Sequence, residues 1–153
     1  YEEILKIRMQ EWEEGKKTAL RLAKEDEEAF MPLAKVYALP KETEEEKEIY
    51  RERMEECLEY ASFVPLQLLK LCAETAKSLK ELAEEGSKLA ISDVGIAADL
   101  FLTAMRGSAL NVRVNTNLMQ NEERKKEREE AVEEALKQCE LLEQTVREVE
   151  KRI

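Results

Sequence analysis

Two groups of polar residues stand out in this chain: three aspartates among thirty-five acids, and four asparagines confined to one stretch. Glu supplies the other thirty-two acids, as expected where a strong helix former covers solvent-facing helix surfaces, so each aspartate needs a local reason. Asp26 falls among Leu22, Phe30, Leu33 and Tyr37, within about 40° of one line at 100° per residue, while Glu25, Glu27 and Glu28 point away. That spacing predicts a carboxyl on an apolar stripe. A carboxyl enclosed by apolar side chains favours its neutral form, the state of a general acid near neutral pH. The alternative is a buried Asp tied to a Lys, an Arg or a helix end for structure alone.

The second group is Asp93 with Ala97, Ala104, Ser108, Asn111 and Asn115, which share one helical stripe at heptad-like spacing. From Ser87 to Asn121 the only charges are Lys88, Asp93, Asp99, Arg106 and Arg113, so this segment obeys different rules from the rest. Amides held on a buried stripe must find partners, since an unsatisfied buried polar group costs about 1–3 kcal/mol. Protein groups or a ligand can satisfy them; an inter-helix hydrogen-bond network is the purely structural reading.

Other chemistries are closed by count. The chain has no histidine, which excludes His-ligated zinc, Ser-His-Asp and Cys-His nucleophiles and imidazole proton shuttles. Acid–base work falls to carboxylates, Lys, Tyr or Cys. The net charge of −10, with no cluster of Lys or Arg to track phosphates, argues against nucleic acid and against an anionic membrane as partners. Cys57, Cys72 and Cys139 are odd in number and form no C-x-x-C, so they read as reduced, buried thiols of a cytoplasmic protein. No Asp/Glu pattern places metal ligands on one helix face, and activity is expected to survive chelators.

These residues need elements to hold them, and the composition supplies helices: four glycines and three prolines in 153 residues dominated by Glu, Lys, Leu and Ala predict an all-α bundle of long, kinked helices around a buried central helix. A first helix is expected from about Glu2 to Ala38, kinked at Pro32. Thr43 and Glu46 form a capping box for a second, which bends at Pro65 and runs to Glu85, with Gly86 as its C-terminal cap. Ser92 is expected to cap a third helix reaching about Asn117, apolar nearly all round and therefore central. A last amphipathic helix spans about Asn121 to Arg152. The least charged stretch, 89–112, still carries Asp93, Asp99 and Arg106, which a lipid-spanning helix would not.

At these residues the sequence resembles the formiminotetrahydrofolate cyclodeaminase and methenyltetrahydrofolate cyclohydrolase family. The resemblance is carried by D-x-x-A-F at Asp26 to Phe30 with L-P-K-x-T after it, S-D-x-G-x-A-A at Ser92 to Ala98, and N-V-R-x-N at Asn111 to Asn115. It implies a single helical domain over 1–153, a homodimeric cytoplasmic folate enzyme, and no metal or redox cofactor. It carries the family's motif residues onto Asp26, Ser92, Asp93, Asn111 and Asn115. The chain departs from the family pattern at Ser87 and Thr116, and the family's glycine-rich loop and first helix lie upstream of the position matching Tyr1. A chain without them is expected to turn over poorly.

Within that resemblance Asp26 is the first candidate for catalytic acid or base and Asp93 the second. Asn111 and Asn115 suit the amide-like edge of a pterin, and Lys88, Arg106 or Arg113 could meet the glutamate carboxylates of a folate tail. The expected activity is closure of 5-formimino-tetrahydrofolate to 5,10-methenyl-tetrahydrofolate with release of ammonia, and its hydrolytic relative is the alternative. A non-enzymatic helical interaction module is the competing class, favoured by the charge content and the amphipathic last helix.

Overall fold

The computed structural model describes residues 2–153 as five α-helices: α1 (Glu2–Tyr37), α2 (Glu44–Glu85), α3 (Ile91–Thr116), α4 (Glu122–Leu136) and α5 (Gln138–Arg152). A 3-10 turn, Lys88–Ala90, leads into α3. Neither Pro32 nor Pro65 ends its helix; each sits inside an unbroken one. No helix among the described residues is long and apolar enough to cross a membrane.

Caps explain where α2 starts and stops. Thr43 Oγ1 accepts from the Glu46 N–H at 3.1 Å, and the Glu46 carboxylate accepts from the Thr43 N–H at 3.0 Å, completing the expected box. At the other end the Gly86 N–H donates to the Leu82 carbonyl at 2.8 Å. A Cβ on residue 86 would lie 2.3 Å from that same oxygen, so the stop requires glycine. The far end of the chain supplies the missing cation: Arg152 donates to the carbonyls of Ala83 and Gly86, where the helix dipole leaves negative charge.

All four other helices pack on α2. Its Leu58, Leu66 and Leu69 are fully buried, each contributing on the order of 1.5–3 kcal/mol of transfer free energy. The bundle therefore has the expected buried central helix, but α2 holds that place and not the charge-poor α3. The reason lies in the two apolar sides of α3. Gly95, Ala98, Leu102, Met105, Ala109 and Val112 meet α2, α4 and α5, whereas Ile96, Leu100, Leu110 and Val114 remain exposed. Gly95 lets α5 close in, since a Cβ there would stand 3.0 Å from Val149 Cγ1.

Two further expectations are corrected. Ser92 caps nothing and is exposed: Ser87 Oγ instead accepts from the Leu89 N–H, and the 3-10 turn it starts runs directly into α3. The expected last helix is two, interrupted at Lys137. Lys137 keeps helical angles (φ −57°, ψ −28°), so no Gly or Pro marks the break. Thr43→Ala removes the reciprocal cap and is expected to cost about 1 kcal/mol, measured by urea unfolding with helicity otherwise unchanged.

Candidate functional site

α1 and α3 both run antiparallel to α2, and they pack on α2 rather than on each other. For α1 the order is set by Arg8 to Glu81 at 3.0 Å, Trp12 Nε1 to Ser78 Oγ at 3.2 Å, and the cluster of Leu33 and Val36 with Met54 and Leu58. For α3 it is set by Ile91 against Ala83 and by Asn115 Nδ2 donating to the Ala61 carbonyl at 3.1 Å. The space between them is a groove with α2 as its floor. At one end it widens into a cavity of about 840 Å³, walled by Trp12 and Ala19 of α1, Leu71, Cys72 and Leu79 of α2, and Asp93, Ala97 and Phe101 of α3.

The predicted residues separate into two sets along this groove. Asp93 lines the cavity, in the first turn of α3, with Ser92 beside it and Lys88 in the preceding turn. Asn111 and Asn115 lie near the other end of α3, about 27 Å from Asp93 for the eighteen residues between Asp93 and Asn111. Asp26 belongs to the second set. It follows Trp12 by two heptads and Ala19 by one, which puts it on the same side of α1 as the cavity wall. Its neighbours Leu22 and Ala29 pack with Val64, Leu68 and Leu71, the level of α2 where Asn115 is bonded.

Asp26 is nevertheless exposed, against the expectation of an enclosed carboxyl. The buried line on α1 is Leu22, Ala29, Leu33 and Val36, a near-heptad stripe, and Phe30 and Tyr37 lie outside it. With the large aromatics taken as core, the expected face lies about 50° round the helix from the observed one and includes Asp26. Asn111 is exposed as well.

Arg113 is turned away from the groove. It bonds Glu129 at 3.1 Å and also Glu133, both on α4, and the Glu129 hydrogen bond raises its guanidinium pKa further above the ordinary range. Arg106 pairs with Glu143 of α5 at 2.5 Å. Neither is free for a substrate carboxylate, whereas Lys88 is exposed.

Asn115 has a role that sequence reading left open. Pro65 has no N–H, so the carbonyl of Ala61, four residues earlier, loses its helical partner. Asn115 Nδ2 supplies the missing donor from α3, and its other hydrogen goes to the Asn111 carbonyl at 2.9 Å. The X-to-Pro spacing was the available signal: a proline inside a long helix leaves an acceptor that a neighbouring amide can fill. With both donors spent, Oδ1 is the atom left for a ligand. Of the three thiols expected to be buried, Cys72 alone is; Cys57 and Cys139 are half-buried. Cys72 is buried in the cavity wall and its thiol is pushed up to about 11, while burial also raises Cys57 and Cys139.

Three comparisons bear on what this groove does. The formiminotransferase-cyclodeaminase family model matches residues 1–138. A methenyltetrahydrofolate cyclohydrolase from Methylorubrum extorquens is 36% identical over 124 residues, covering 78% of this chain and 60% of that protein. The formimidoyltransferase-cyclodeaminase of Sus scrofa is 36% identical over 90 residues, 59% of this chain and 17% of that one. Among solved structures, the crystal structure of formiminotetrahydrofolate cyclodeaminase from Thermotoga maritima aligns with a TM-score of 0.72 at 31% identity, over 92% of this chain and 64% of that one. The chain thus spans less than two thirds of the length of each of these relatives.

Two outcomes follow from this geometry. Asn115→Ala is expected to cost about 1–3 kcal/mol by leaving the Ala61 carbonyl unpaired, and to cost less in a Pro65→Ala background, where residue 65 regains an N–H. A double-mutant cycle in urea reads the coupling. Cys72 carries a raised folded-state pKa, so the unfolded thiol ionises first. The stability it contributes is intact below pH 9 and lost as pH rises towards 11. Unfolding free energies of the wild type and Cys72→Ala measured across pH 8 to 11 are expected to diverge in slope only in that window.

Proposed function

The chain belongs to the formiminotransferase-cyclodeaminase family, and on that premise we propose that its α1–α3 groove binds a reduced folate and closes 5-formimino-tetrahydrofolate to the 5,10-methenyl form. The observation that carries this reading is that Asp26 on α1 and Asn111 and Asn115 on α3 stand at a common level of α2. The three residues carry different parts of the task. The Asn115 Oδ1 and the Asn111 amide are assigned the donor and acceptor edge of the pterin, and Asp26, at the same level of α2, the proton transfer.

In the reaction N10 attacks the formimino carbon, forming the second C–N bond of the ring. The N10 proton is transferred to the formimino nitrogen, which becomes an amino group. One further proton, delivered by the acid, converts that group to ammonia as its C–N bond breaks, leaving the methenyl cation. Asp26 is assigned both transfers; as a carboxylate it also offsets the positive charge of the product. The apolar cavity between Trp12 and Phe101, with Asp93 in its wall, suits a flat apolar part of the ligand, and Lys88 and Ser92 lie beyond it, at a distance that only an extended polyglutamate tail spans. With Arg113 held by α4, Lys88 is the cation assigned to that tail. The working unit is a homodimer, in keeping with the resemblance.

A second reading is favoured by the cyclohydrolase relative, which covers more of this chain than the transferase-cyclodeaminases do. There water adds to the methenyl carbon of the substrate cation and one proton is lost to the carboxylate; the remaining hydroxyl proton then passes to N5 as the bond to N5 opens, leaving a formyl group on N10. The same groove and the same carboxylate serve.

Trp12 is the only tryptophan of the chain and lines the cavity, so its fluorescence reports ligand binding directly. Tetrahydrofolate is expected to quench it saturably. Ammonia appearing in step with methenyl-tetrahydrofolate establishes cyclodeamination, and loss of added methenyl-tetrahydrofolate without ammonia chemistry establishes the hydrolytic reading. Asp26→Asn is expected to lower turnover roughly 10²-fold or more with quenching retained. Near-normal turnover in that variant, with the loss found instead in Asp93→Asn, moves the acid to the cavity end. An unquenched Trp12 favours the non-enzymatic interaction module.

A further inference from the structure

α1 and α3 lie along α2 without packing on each other, so the distance from Asp26 to Asn111 and Asn115 is not set by contact between the helices that carry them. Something else must hold it. The connection from α3 to α4, residues 117–121, is placed to do so. Its Leu118 and Met119 N–H groups donate to the carbonyls of Asn115 and Thr116 at 3.0 and 3.1 Å, which makes it a stiff extension of the end of α3. Met119 is buried, and it is the one buried member from beyond α2 in the cluster that joins Leu33 and Val36 of α1 to Met54, Leu58 and Ala61 of α2. Leu33 follows Asp26 by seven residues, about 10 Å along α1. Met119 thus spaces the two walls about two turns from the candidate acid.

One carboxylate fixes this segment. Glu55 of α2 is half-buried and spends both oxygens on successive backbone N–H groups: Oε2 accepts from Gln120 at 2.8 Å and Oε1 from Asn121 at 3.0 Å. Such a paired bond fixes orientation as well as distance. Asn121 also caps α4, its side chain accepting from the Arg124 N–H at 3.0 Å, so the Glu55 charge lies where the dipole of α4 favours it. Glu59, one turn further along α2, pairs with the Arg124 side chain at 3.6 Å and so ties α2 to α4 beyond the connection.

We propose that Glu55 is a positioning residue of the groove: by pinning residues 120–121 to α2 it seats Met119 between the walls and holds Asn111 and Asn115 at their separation from Asp26. This role rests on the folate reading above and adds a residue that touches neither substrate nor reacting atoms. The Asn115 bond to Ala61 sets the height of α3 on α2, and the Glu55 clamp, beyond the helix end, stops that end from swinging sideways. Proton transfer is sensitive to such a swing, since a displacement of about 1 Å costs up to roughly 10²-fold in rate. Binding at Trp12, about 21 Å along α1 from Asp26, is not.

Glu55→Gln keeps the length of the side chain but only one acceptor oxygen, so one of the two N–H groups faces an amide NH2. Circular dichroism is expected to be unchanged, turnover to fall roughly 10-fold, and the tetrahydrofolate affinity read by Trp12 quenching to move less than about twofold. Amide hydrogen exchange over residues 111–121 is expected to quicken. Glu59→Gln, which also loosens α4 from α2, is expected to leave turnover and this exchange unchanged. In an Asp26→Asn background Glu55→Gln is expected to cost less than about twofold more, because the transfer it aligns is already gone. Equal losses in the Glu55 and Glu59 variants, or an undiminished loss on top of Asp26→Asn, overturn the positioning role while the folate reading stands. A wild type with neither turnover nor quenching overturns the folate reading and the catalytic side of this role together. Exchange over 111–121 then still decides the clamp, and equal rates in Glu55→Gln and the wild type overturn that as well.

Discussion

The arrangement depends on one constraint: α2 is long enough to support every other helix, and α1 and α3 lean on it without meeting. Its 42 residues span about 63 Å. Two antiparallel neighbours laid along such a spine run parallel to each other, so equal levels on α2 bring together residues far apart in sequence. That is how Asp26 reaches the level of Asn111 and Asn115, some eighty-five residues later. The spine has one local weakness, the carbonyl of Ala61 freed by Pro65, and α3 mends it through Asn115. The bond that repairs α2 also fixes the height of α3 against it, and with it the position of one wall of the groove.

Much of this was legible from residue patterns. The all-α class, the capping box at Thr43 and Glu46 and the stop at Gly86 follow from local chemistry that tertiary packing does not override. The misplaced features share a physical origin. Periodicity alone does not say which of two overlapping stripes is buried when large and small apolar residues compete. Ala29 and Val36 fit close against α2, and Phe30 and Tyr37 are left outside. Ser92 lost its capping role to Ser87, a residue that starts a 3-10 turn too short to leave a periodic signal. The interruption at Lys137 has no local marker at all; α4 and α5 follow different sides of α2 and α3, and the break belongs to packing.

The site shows the same division. The rarity of Asp and the clustering of Asn were visible in the residues themselves. Their separation into a set near Lys88 and Asp93 and a set near Asp26 and Asn115 was not, because both sets occupy one stripe of α3 or one face of α1 in projection. Arg113 shows a different limit: its motif position marks it as functional, yet two glutamates on α4 engage the guanidinium, and only the tertiary structure shows that competition.

The unusual composition of α3 follows from the different demands on its sides. One side, with Ala98, Leu102 and Met105, is core; a second places Asp93 and Ala97 in the cavity wall and Asn115 on the Ala61 carbonyl; the third, Ile96 to Val114, is exposed. Its arginines reach sideways into α4 and α5. The Asn115 bond to α2 fixes the height of α3, and the packing of its core side fixes its rotation about its own axis. Rotation is the freedom that would swing Asn111 and Asn115 away from Asp26, so the fit of Ala98, Leu102 and Met105 in the core is coupled to the geometry of the candidate site, although none of the three is a polar group of it.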